Sequence, residues 1–80
     1  MHEASLVHEV LVIAKEAAEA EGLSKITSIE LIIGEHLCIM PDALEFAFRY
    51  MTSGPLLEKA ELRWEIGAGR ELQVTYIEGE

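Results

Sequence analysis

The stretch Ser28-Ile29-Glu30-Leu31-Ile32-Ile33-Gly34 decides the fold. Ile29, Leu31 and Ile33 alternate with Ser28, Glu30 and Ile32, the two-residue period of a strand with one strongly apolar face. Ile32, with Ile26, makes the second face partly apolar as well. A strand with one strongly apolar face and a second that is partly apolar suits the middle of a sheet better than an edge, so residues 25–34 are expected to be central.

On the amino-terminal side the period changes. From Glu3 to Glu21, Leu6, Val10, Ile13 and Ala17 recur at helical spacing, with Val7, Leu11, Ala14 and Ala18 beside them. Glu9, Lys15, Glu16 and Glu19 make the opposite, solvated face, and Gly22 stands where a left-handed C-cap is expected. Glu3 falls in the first turn, where exposed amides and the helix dipole favour a carboxylate.

On the carboxyl-terminal side, Gly34 to Met40 is too apolar for a free loop and is expected to pack across one end of the sheet. Pro41 suits the first position of a helix, with Asp42 in the first turn, and the pattern runs to about Ser53. Leu44, Ala47, Phe48 and Met51 form its buried stripe, widened by Ala43, Phe46 and Tyr50. Gly54-Pro55 ends it. Leu62, Trp64 and Ile66 then alternate with Glu61, Arg63 and Glu65. Gly67-Ala68-Gly69 has hairpin length. Leu72, Val74 and Tyr76 alternate with Gln73, Thr75 and Ile77, and the last two strands are expected to pair antiparallel. The fold class is α+β: a two-layer single domain over 1–80, with a three-stranded sheet, two helices on one face and the order α-β-α-β-β.

Composition removes several classes of function. Fifteen acidic residues against six basic ones give a net charge of −9, which repels nucleic acid and anionic membrane surfaces and attracts cations and basic partners. One cysteine, Cys38, permits neither an internal disulfide nor a multi-thiolate zinc site. That usage, with no secretory leader pattern, fits a reducing, cytoplasmic setting. No serine lies in a nucleophile elbow and no glycine-rich phosphate loop precedes a helix. His36 stands two residues from Cys38, but the apolar neighbours Leu37, Ile39 and Met40 predict a buried, inert thiol and a surface histidine. An enzyme is not expected.

What remains is metal. Met1-His2-Glu3 carries donors that occur together only at the start of a chain. The α-amine of Met1, the deprotonated amide of His2 and its imidazole close two fused chelate rings. Glu3 adds a backbone nitrogen and a carboxylate. Nitrogen-rich, planar coordination suits Ni(II) or Cu(II) over Mg(II) or Ca(II). Histidine in the second position hinders removal of the initiator, so Met1 is expected to persist. His8 lies on the solvated side of the first helix. A site with so few side chains is open and exchangeable, as a carrier requires.

Several segments together resemble the HypA family of hydrogenase maturation factors. They are Met1-His2-Glu3 followed by Ser5, Ile33-Gly34-Glu35, and Pro41 leading to Leu44-Glu45-Phe46-Ala47-Phe48. Gly54 ahead of Leu57, Ala60-Glu61-Leu62, Gly69-Arg70-Glu71-Leu72-Gln73-Val74 and Ile77-Glu78 extend the resemblance over nearly the whole chain. The resemblance implies a nickel metallochaperone for nickel-iron hydrogenase, with Met1, His2 and Glu3 as the nickel site. The implied partners are a HypB-type GTPase, the hydrogenase large subunit and, for some members, urease maturation proteins. An alternative is an interaction module that docks a GTPase or metalloenzyme without carrying metal. The family also inserts a zinc domain with two CxxC pairs between its second and third strands. Here Gly67-Ala68-Gly69 stands in that place, as the link of an engineered deletion or of a natural short variant, and zinc is not expected.

Overall fold

A computed structural model of the chain describes residues 3–80. The elements are α1 (Glu3–Glu21), β1 (Ile26–Gly34), α2 (Pro41–Met51), β2 (Glu61–Gly67) and β3 (Leu72–Gly79). Helix α1 buries Leu6, Val7, Val10, Leu11, Ala14 and Ala18. It closes as the sequence predicts. Gly22 has φ +67°, its N–H bonds the Glu19 carbonyl, and the Leu23 N–H reaches back to Ala18. The stripe is narrower than expected, however: Ile13 is 46% exposed.

Pro41 opens α2 after an extended Met40, and Asp42 lies in the first turn. The helix stops at Met51, where the Thr52 N–H bonds the Phe48 carbonyl. Leu44 and Phe48 have no exposed surface. Each such burial is worth about 1.5–3 kcal/mol before ordering costs. Phe46 and Tyr50 do not widen the buried stripe. They are 74% and 83% exposed, because they lie on the side of α2 turned from the sheet.

The three-stranded sheet has the order β2-β1-β3, so β1 is central, as its apolar face and partly apolar second face predict. Ile29, Leu31 and Ile33 stand opposite Leu62, Trp64 and Ile66 on one flank. On the other flank they stand opposite Ile77, Val74 and Leu72. Both helices cover this face, and a single core joins it to α1 and α2, with Leu57 and Ala60 closing one side.

The expected hairpin does not form. β2 pairs parallel with β1, and β3 pairs antiparallel with β1 on its far side. The reason lies upstream: β1-α2-β2 is a crossover through a helix, which returns the chain parallel beside β1. That leaves only the other flank of β1 for β3. Residues 68–71 must therefore cross the end of the central strand.

Two bulges shift the alternation. Thr27 is an extra residue in β1, so Ile26 turns into the core instead of the outer face. Thr75 is an extra residue in β3, so Ile77 packs against the core and Tyr76 is left 54% exposed, the reverse of the simple pattern. Thr75 Oγ1 donates to the Glu30 carbonyl and Thr27 Oγ1 to the Glu78 carbonyl, so both bulges are tied by threonine hydroxyls.

Candidate metal centre at the start of the first helix

Of the three expected ligands, Met1 and His2 lie outside the described residues. Glu3 begins α1 and is half-buried. The helix therefore fixes where its first turn points, and the free amides of that turn favour carboxylate and other anionic donors.

One to two turns further along α1, the surroundings come from later segments of the chain. Leu6 and Glu9 of α1, Leu37 of the connection after β1, and Arg70, Glu71 and Leu72 line a cleft of about 270 Å³. Those segments meet because the link between β2 and β3 crosses the end of β1 there. Three hydrogen bonds hold the crossing: the N–H groups of Gly34, Glu35 and His36 donate to the carbonyls of Glu71, Gly67 and Gly69 at 2.8, 2.7 and 2.8 Å. Gly69 takes φ +102°. A Cβ on Gly34 would stand 2.7 Å from the Gly69 carbonyl oxygen and 2.8 Å from the Glu71 nitrogen. Only glycine lets the link pass this close. No periodicity in the sequence marks Arg70, Glu71 or Leu37 as neighbours of α1; the strand order brings them there.

The other candidates disperse. His8 is exposed on α1. His36 is exposed, with Nε2 3.4 Å from Glu35 Oε1. Cys38 is exposed, not buried, and has φ +60°. Its Sγ donates to the His36 carbonyl at 3.7 Å and not to the imidazole. The chain turns outward at this residue, which is why the apolar neighbours Leu37 and Ile39 pack on the core while the thiol does not. Thiol and imidazole thus have separate partners, and no base–nucleophile pair forms. Among the described residues, no group of three or more His, Cys, Asp or Glu side chains gathers to hold a metal ion.

The open sheet face is polar. Glu30, Arg63, Glu65 and Thr75, with parts of Leu31 and Trp64, line a shallow depression of about 110 Å³. The Arg63 guanidinium bonds Glu61 at 3.1 Å. That hydrogen bond and the charge of Glu61, with Glu30 and Glu78 behind them, raise its pKa above the ordinary value. The group stays cationic throughout the accessible pH range and titrates in no useful way.

Comparison with known proteins agrees with these segments. A family model described as hydrogenase/urease nickel incorporation, metallochaperone, HypA matches residues 1–70. The chain is 37% identical over 65 residues to the hydrogenase maturation factor HypA of Moorella thermoacetica, covering 81% of this chain and 58% of that protein. It is 42% identical over 65 residues to that of Lawsonia intracellularis, covering 81% of this chain and 55% of that protein. The chain thus spans little more than half the length of these relatives. Its fold matches the solution structure of the Ni metallochaperone HypA from Helicobacter pylori with a TM-score of 0.87. That match covers 99% of this chain and 97% of that one at 16% identity, a likeness of fold.

Proposed function

Because the chain belongs to the HypA family of hydrogenase/urease nickel-incorporation metallochaperones, we propose that it carries Ni(II) at Met1, His2 and Glu3 and passes it to partner proteins. The observation that carries this reading is the extent of the family match, which covers residues 1–70 and so includes Met1, His2 and Glu3. The first turn of α1 supports it by holding Glu3 at one end of the helix. The α-amine, the His2 amide nitrogen and the imidazole supply a nitrogen-rich set for Ni(II), and the Glu3 backbone and carboxylate complete or exchange it. A shell built on one chain end releases its cargo by stepwise ligand replacement. The receiving partners in this reading are a HypB-type GTPase, the nickel-iron hydrogenase large subunit and urease maturation proteins. The setting is cytoplasmic; no helix among the described residues is long and apolar enough to cross a membrane.

Over 1–80 the chain is read as a single nickel-binding-type domain, with the link at 67–69 in place of the zinc domain. The single cysteine and the four-residue path between β2 and β3 support that reading. Zinc is not a cofactor of this chain under it.

Nickel titration tests the proposal. The chain with an authentic Met1 is expected to take up about one Ni(II), and both His2→Ala and one residue added before Met1 are expected to abolish uptake. Unchanged uptake in either variant removes the assignment. A second reading, an interaction module that docks its partner independently of metal, is favoured by the exposed aromatic pair on α2. Under it, the chain takes up no nickel at its first residues and His2→Ala leaves partner binding unchanged.

A further inference from the structure

The chain holds few aromatic residues (2 Phe, 2 Tyr and 1 Trp), yet it turns Phe46 and Tyr50 to solvent on α2. These two side chains stack on each other, with ring centroids 6.5 Å apart and an interplanar angle of 15°. Asp42, also exposed, precedes Phe46 by one helical turn. The spacing i, i+4, i+8 sets the three on one outward stripe. An exposed aromatic pair of this size in a small domain is the kind of surface that becomes an anchor in an interface.

Charge says what fits it. The rings present negative π-faces and Asp42 a carboxylate, on a chain of net charge −9. The cation nearest in sequence is committed elsewhere. Arg49 Nη1 donates to the Ala60 carbonyl at 2.7 Å, and its guanidinium carbon lies 5.4 Å from the centroid of the Phe48 ring. Asp42 enters no ion pair among the described residues. The stripe thus has two stacked rings and a carboxylate with no cation from its own helix satisfying them.

We propose that Asp42, Phe46 and Tyr50 form a docking stripe for an arginine-bearing segment of another protein, whose guanidinium stacks on the rings and pairs with Asp42. Arginine fits better than lysine, because a planar guanidinium can lie flat on an aromatic face while bonding a carboxylate in its own plane. The proposal rests on the docking reading above and not on nickel, and it leaves Met1 to Glu3 untouched.

The test is a nuclear magnetic resonance titration of the whole chain with an acetylated, amidated hexapeptide of alternating Arg and Ala, and with its Lys and Glu counterparts. Circular dichroism checks that the variants stay folded, as the exposure of both rings predicts. The Arg peptide is expected to shift the ring protons of Phe46 and Tyr50 most, more than the Lys peptide does and with no effect from the Glu peptide. Phe46→Ser with Tyr50→Ser is expected to weaken binding at least tenfold, and Asp42→Asn severalfold. Equal or larger shifts on the acidic face of α1, at Glu16 and Glu19, mean diffuse charge attraction and overturn the proposal. So does unchanged affinity in the double variant, or ring shifts that grow with protein concentration alone and mark a second copy as the occupant. In each of these outcomes, nickel uptake at the terminus and its loss in His2→Ala are unaffected, so the two readings fail separately.

Discussion

Single residues decide how the chain crosses over itself. Gly34→Ala would put a methyl group against two backbone atoms of the link, neither of which can rotate away. The expected loss is about 2–3 kcal/mol, read as a lower urea midpoint at unchanged slope. Gly79 is similarly enclosed, by the Lys25 carbonyl and the Leu23 side chain. Cys38 gives the opposite sign. It occupies a left-handed conformation that costs a side chain about 1 kcal/mol, so Cys38→Gly is expected to cost nothing and to stabilise by up to about 1 kcal/mol. The exposed thiol is also expected to react with a disulfide reagent in the native state, one equivalent per chain, without denaturant. The sequence could not show this exposure. Its apolar neighbours are real core contacts, but one residue at positive φ points the thiol the other way.

At the scale of elements, the order β2-β1-β3 makes specific demands. Amides of β1, bonded on both sides, are expected to exchange with solvent more slowly than those of the edge strands β2 and β3. Cross-strand proton contacts should link Leu31 to both Trp64 and Val74, and none should join β2 to β3 directly. The existence, type and approximate limits of all five elements were legible, because two long amphipathic patterns and three alternating runs leave little choice. Two things were not. Hairpin-length spacing at Gly67-Ala68-Gly69 outweighed the crossover logic of β1-α2-β2, although a helix between two strands is itself the better guide to their relative direction. The phases of β1 before Ser28 and of β3 past Thr75 were also hidden, since a bulge leaves no mark in composition. For the candidate centre the sequence offers a list of donors, Met1, His2 and Glu3, of which Glu3 alone lies among the described residues; the cleft along α1 depends on which strand crosses which.

For the molecule as a whole, charge and connectivity matter most. Fifteen carboxylates on a small surface repel one another, so thermal stability is expected to rise by a few degrees between about 10 and 150 mM sodium chloride, measured by calorimetry. Lack of any rise would mean that local pairs such as Arg63 with Glu61 already balance the field. The link over Gly34 has a further consequence. Five Cα steps from Gly67 to Leu72 can reach about 17 Å, while the two strand spacings they cross take about 10 Å. The gap is therefore a pair of fixed posts on either side of the central strand. Any folded body grafted between them is held at two separated points, like a lid on two pins rather than a flag on one. Two separated attachments limit how far such a body can swivel, and they set it beside the segment 70–72 that lines the cleft along α1.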